Sequence, residues 1–138
     1  MIARMSEPQP PAVTSPAGGA PAPADAPENP EDRKLITLAR SARARNGVPE
    51  GAAVRDETGR TYVAGSVDLD SLRLTAVQTA VAMAVASGAR SLEAAAVVTA
   101  AAAPSAADLA AVRDLGGAGT PVILAGPDGV VRATVPAG

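Results

Sequence analysis

PSAADLAAVRDLGGAGTPVILAGPDG, residues 104–129, carries the densest run of structural signals in the chain. Pro104 and Ser105 open a helix: proline suits the entry to a first turn, and the Ser105 hydroxyl is a cap for the free amides that follow. The helix runs to about Leu115, where Gly116-Gly117-Ala118-Gly119 ends it. Pro121–Ala125 is a short β-branched strand, Pro127-Asp128-Gly129 is a turn, and Val130–Val135 is a returning strand. Working upstream, Leu92–Thr99 is a continuous apolar run with Val97-Val98, the pattern of a central strand covered on both faces. A strand, a helix and a strand in that order make a crossover unit, and such units place helices on a sheet.

Further upstream the chain reads as a helix over Ser71–Ser87, capped by Asp70 or Ser71 and stopped at Gly88. Its stretch from Leu74 to Ala89 is uncharged and apolar or small on all sides, as in a helix buried over most of its circumference. At 16 residues this stretch is short of a membrane span. Ala52–Arg55 and Arg60–Val67 form a hairpin around Asp56-Glu57-Thr58-Gly59. A first helix over residues 30–45 has Asn29 as cap, Pro30 in its first turn, Leu35, Leu38, Ala39 and Ala42 on one face, and Asn46-Gly47 as its stop. Before it, eight of the 13 prolines fall between Pro8 and Pro30, among alanines and with few large apolar side chains. Residues 1–28 are therefore expected to be a disordered Pro/Ala-rich tail, and residues 29–138 a single α/β domain.

Composition excludes several chemistries. Cysteine and histidine are both absent, which removes disulfides, thiol nucleophiles, imidazole acid–base groups and the usual zinc ligands. The net charge of −2 argues against a chain-wide nucleic-acid or membrane-surface role. With no basic-then-apolar pattern at its start, the cytoplasm is the expected compartment. The charge is uneven, however. Arg33, Lys34, Arg40, Arg43 and Arg45 gather on the first helix, where they serve either as a solvated face or as a contact for RNA or an acidic partner. The absence of Phe and Trp leaves little for a base to stack on. The Gly116–Gly119 and Asp56–Gly59 stretches lack the strand–GxxxxGK–helix setting of a phosphate loop, and Asp68-Leu69-Asp70 reads as helix capping rather than as a hard-metal site.

The element order and two strings together resemble the small cytidine deaminases. AGSVDLDSLRLTAVQT, residues 64–79, aligns without gaps to the family pattern G-x-N-x-E-x-A-S-Y-x-L-T-x-C-A-E, matching at Ser71, Leu74 and Thr75. Residues 104–129 align to P-C-x-x-C-R and the closing T-P-V-x-L-A-x-P-D-G, matching at Pro104, Thr120–Ala125 and Pro127–Gly129. The resemblance implies a three-layer α/β/α sandwich with its site where two helix starts meet, a bound zinc, and conversion of cytidine to uridine plus ammonia. It also implies association through the active-site helices, so a homo-oligomer through helix 71–87 is expected.

The positions that carry that chemistry have changed. Val77 stands at the first zinc-ligand position, Thr79 at the catalytic carboxylate, and Ser105 and Asp108 at the two thiolates. Zinc deamination needs a metal to acidify a water and a carboxylic acid to move its proton. Valine cannot ligate, and a threonine hydroxyl cannot shuttle protons near neutrality. The expectation is a non-catalytic member of the family, without zinc, acting in binding or assembly. Ser66 and Asp68 occupy the ribose-contact positions and keep a polar, shorter-reaching character.

Overall fold

The computed structural model describes residues 29–138. The expected tail, residues 1–28, lies outside them.

The first helix, α1 (Pro30–Asn46), begins and ends as the residues dictate. The Asn29 side chain accepts from the Glu31 amide at 2.8 Å. Glu31 and Asp32 sit in the first turn, where they favour the positive end of the helix dipole. Gly47 closes the helix at φ 63°, a left-handed conformation that suits a residue without Cβ. Strands β1 (Gly51–Asp56) and β2 (Thr61–Gly65) form the first hairpin. After the second helix come β5 (Leu92–Val98), α3 (Ala106–Gly116), β6 (Pro121–Ala125) and β7 (Val131–Pro136).

The five main strands lie in the order β2-β1-β5-β6-β7. Only β5 and β6 are parallel, as their connection through α3 requires, and the other neighbours are antiparallel. Helix α1 covers one face, with Leu35, Ile36 and Ala39 packed on Ala53, Ala96, Val98 and Ile123. The second and third helices cover the other, over Val54, Val97, Val122 and Leu124. Two apolar layers on either side of one sheet make the expected three-layer sandwich. Much of this core is alanine, which brings helices close to the sheet but buries little area per residue, so fully buried Leu35 and Ile123 weigh heavily at about 1.5–3 kcal/mol each.

The second helix departs from its expected bounds. It is Ala76–Ala86, called α2, and the segment read as its first turn is a small hairpin of β3 (Val67–Leu69) and β4 (Leu72–Leu74). Val67 pairs with Leu74, Asp68 with Arg73, and Leu69 with Leu72, leaving Asp70-Ser71 as the turn. Neither Asp70 nor Ser71 caps the helix. Thr75 does, in a reciprocal box: its hydroxyl accepts from the Gln78 amide at 3.0 Å, and Gln78 Oε1 accepts from the Thr75 amide at 2.9 Å. Two free amides satisfied at once favour a start at Thr75 over one at Ser71. No helix among the described residues is long and apolar enough to cross a membrane.

Candidate functional site

Strand β1 has a different environment at each end, and Glu50, the residue just before it, lines a cleft. Gly51 lets α1 approach closely: a Cβ there would collide with the Ala39 carbonyl oxygen and stand 2.8 Å from the Arg43 amide. This contact brings the end of α1 over the Pro49-Glu50 segment, where Arg43 Nε donates to the Pro49 carbonyl at 2.9 Å. Arg43 therefore lines the cleft.

The cleft measures about 660 Å³. It lies beside the end of β5, outside the carboxyl edge of a parallel strand pair, where open α/β sheets place ligands. Glu50 and Thr99 lie on its inner side, Thr75 and Gln78 at the start of α2 form a wall, and Asp68 and Arg73 lie toward solvent. Thr99 is 3% exposed; its Oγ1 accepts from the Ala101 amide at 3.1 Å and donates to Glu50 Oε2 at 2.9 Å. The Asp68–Arg73 pair, 3.0 Å apart, has side chains 84% and 73% exposed, so it adds at most about 1 kcal/mol.

Ser66 and Asp68 both line this cleft. The expected helix-capping role of Asp68-Leu69-Asp70 is corrected: Asp68 belongs to the β3–β4 hairpin, where it pairs with Arg73, and Thr75 is the cap. The four positions that hold the metal and the proton carrier in the resembling family do not line it. Val77 is fully buried in the core under α2. The Thr79 hydroxyl donates to the Thr75 carbonyl at 2.9 Å, a bond within the helix. Ser105 Oγ accepts from the Asp108 amide at 3.0 Å, and Asp108 Oδ2 accepts from the Ser105 amide at 3.3 Å. Asp108 is 1% exposed, and its Oδ1 has no partner among the described residues. One carboxylate, two hydroxyls engaged with backbone and an alkyl side chain do not make a tetrahedral zinc site. Among the described residues no three His, Cys, Asp or Glu side chains gather to share a metal.

The far end of β1 is also polar, and its carboxylates and guanidinium are paired with one another or with nearby donors, while Arg55 Nη1 has no hydrogen-bond partner among the described residues. Arg55 is 8% exposed and meets Asp32 at 3.0 Å and Glu93 at 2.9 Å. Asp56, 2% exposed, accepts from the Thr58 amide and hydroxyl, the Arg60 amide and the Tyr62 hydroxyl, all within 3.0 Å. Burial pushes the Asp56 carboxyl upward, but these hydrogen bonds outweigh it and hold it at about 2. The same contact, together with desolvation, raises the Tyr62 hydroxyl above its usual range. On α1, Arg40 Nε donates to the Pro127 carbonyl at 3.1 Å and Arg45 Nη1 to Ser41 Oγ at 3.2 Å.

Sequence reasoning missed Glu50 and Thr99, which lie 49 residues apart and meet only through the β1–β5 pairing. One local signal was present: a carboxylate stands immediately before a strand buried along its whole length.

The family model described as cytidine deaminase-like matches residues 28–129. No curated protein matches the chain in sequence. Among solved structures, cytidine deaminase from Burkholderia pseudomallei is 30% identical, with a TM-score of 0.68 over 76% of this chain and 91% of that one. Cytidine deaminase from Mycobacterium leprae is 23% identical, with a TM-score of 0.60 over 76% and 93%. That from Mycobacterium tuberculosis is 21% identical, with a TM-score of 0.62 over 80% and 93%. The last two are similar in fold.

Proposed function

This chain belongs to the cytidine deaminase-like family, and on that premise we propose that it is a non-catalytic member, binding a nucleoside-class ligand in its cleft without zinc-dependent deamination. The observation that carries the reading is the location of Val77, Thr79, Ser105 and Asp108. Each is committed to core or backbone, and none borders the space a ligand would enter. The cleft itself keeps polar groups suited to a sugar and a base: Ser66 and Asp68 from the first motif, with Glu50 and Thr99 behind them.

The test is a cytidine deamination assay with and without added zinc, run beside calorimetric titration with cytidine. Binding without ammonia release is the expected result. Turnover that a chelator abolishes would replace this reading with the enzymatic one, cytidine to uridine plus ammonia.

Assembly belongs to the same proposal. Met83 and Val85 on α2 are 40% and 53% exposed, and Val85 borders a groove with Leu74, Val81 and Leu115. A homo-oligomer with α2 at its interface covers this surface, and light scattering at high micromolar concentration should give a mass above the monomer's. An RNA or acidic partner on α1 is the weaker alternative, since Arg40 and Arg45 are hydrogen-bonded within the chain and no aromatic residue lies on that helix.

A further inference from the structure

We propose that Glu50 selects the ligand's base, taking a heterocycle that presents an amino N–H and rejecting one that presents an oxo group at the same place. The inference rests on the reading of the cleft as a nucleoside site, and it assigns the discrimination to a residue outside both family motifs.

The argument starts from a gradient of exposure. Asp68 and Arg73 stand at the solvent side and satisfy each other. Thr99 is buried, and Glu50 is half-buried beside it. A ligand entering from the rim therefore meets the Asp68–Arg73 pair first, and then the Glu50 carboxylate, with the Arg43 guanidinium held on the Pro49 carbonyl alongside. Among the described residues, Glu50 has no ion pair, and its one side-chain hydrogen bond comes from Thr99.

The direction of that bond matters. Thr99 Oγ1 accepts from the Ala101 amide, so its single proton goes to Glu50 Oε2. The threonine holds the carboxylate by one oxygen, and Glu50 lines the cleft with the acceptor capacity of the other, Oε1, still unused. An ionised carboxylate only accepts. Facing an amino group, it makes a charge-assisted hydrogen bond of the stronger kind. Facing a carbonyl oxygen, it sets lone pairs against lone pairs in a partly dehydrated site, and both groups lose their water without gaining a partner. Gln78 does not duplicate this selection: its Oε1 is used by the Thr75 amide, which leaves its NH₂ as the group it offers, a donor suited to an oxygen.

The experiment titrates the full chain with cytidine and with uridine, in the wild type, Glu50→Gln, Thr99→Val and Thr99→Ser. Wild type should bind cytidine on the order of tenfold more tightly than uridine. Glu50→Gln should bring the two within about twofold, because an amide can turn either its oxygen or its NH₂ to the ligand. Thr99→Val should lower the ratio by freeing the carboxylate, and Thr99→Ser should restore it. Equal wild-type affinities, or a ratio that survives Glu50→Gln, would overturn the inference and leave the nucleoside reading standing. Binding of neither nucleoside by the wild type would overturn both.

Discussion

One carboxylate, Glu50, stands just before β1 and another, Asp56, ends it, and they differ in how many donors reach them. Asp56 receives four hydrogen bonds within its own hairpin. Glu50, at the opposite end, receives one from a side chain and opens on a cleft of about 660 Å³. A saturated carboxylate is part of the architecture: it fixes a turn and has no capacity left for a ligand. An unsaturated one beside a cavity is where a ligand gains most. The start of α2 repeats the lesson within a single turn. Thr75 and Gln78 border the cleft, whereas Val77, between them in sequence, is packed beneath the helix.

The contrast breaks most severely if charge is placed in the filled wall. Val77→Asp would bury an unpaired carboxylate in the α2 core, and should cost about 3 kcal/mol or more in denaturant unfolding. A neutral effect would mean that this wall is open to water. Acid sharpens the comparison next. Because folding lowers the Asp56 carboxyl to about 2, its contribution is complete above the unfolded carboxylate range near 4 and is lost as the pH falls toward 2. The wild-type thermal midpoint should decline across that window, and Asp56→Asn should flatten the decline. Smaller again are the caps: Thr75→Ala and Ser105→Ala should each cost about 1 kcal/mol. Smallest is the rim, where Asp68→Ala should stay within about 0.5 kcal/mol of wild type, since its ion pair with Arg73 is exposed.

Local chemistry made most of the fold legible. Asn29, Gly47 and Ser105 are found in the capping and stopping roles their types suggest, and the apolar run from Leu92 is the central strand. At Ser71 the residue type misleads: Asp70 and Ser71 are both capping types, but they form the turn of the β3–β4 hairpin, and the Thr75-x-x-Gln78 box sets the helix start four residues later. The site was legible in part. Ser66 and Asp68 fall on the cleft. Glu50 and Thr99 were hidden because their meeting is a property of strand pairing, not of any local pattern.

The central claim is that the helix starts which would carry zinc chemistry have become packing and capping. Elemental analysis of the purified full-length chain tests it most directly, after dialysis against micromolar zinc and then against metal-free buffer. With Val77 buried, Ser105 and Asp108 capping each other, and no cysteine or histidine in 138 residues, the account predicts far less than one zinc per chain. One zinc per chain, retained through dialysis and lost in Asp108→Ala, would contradict it.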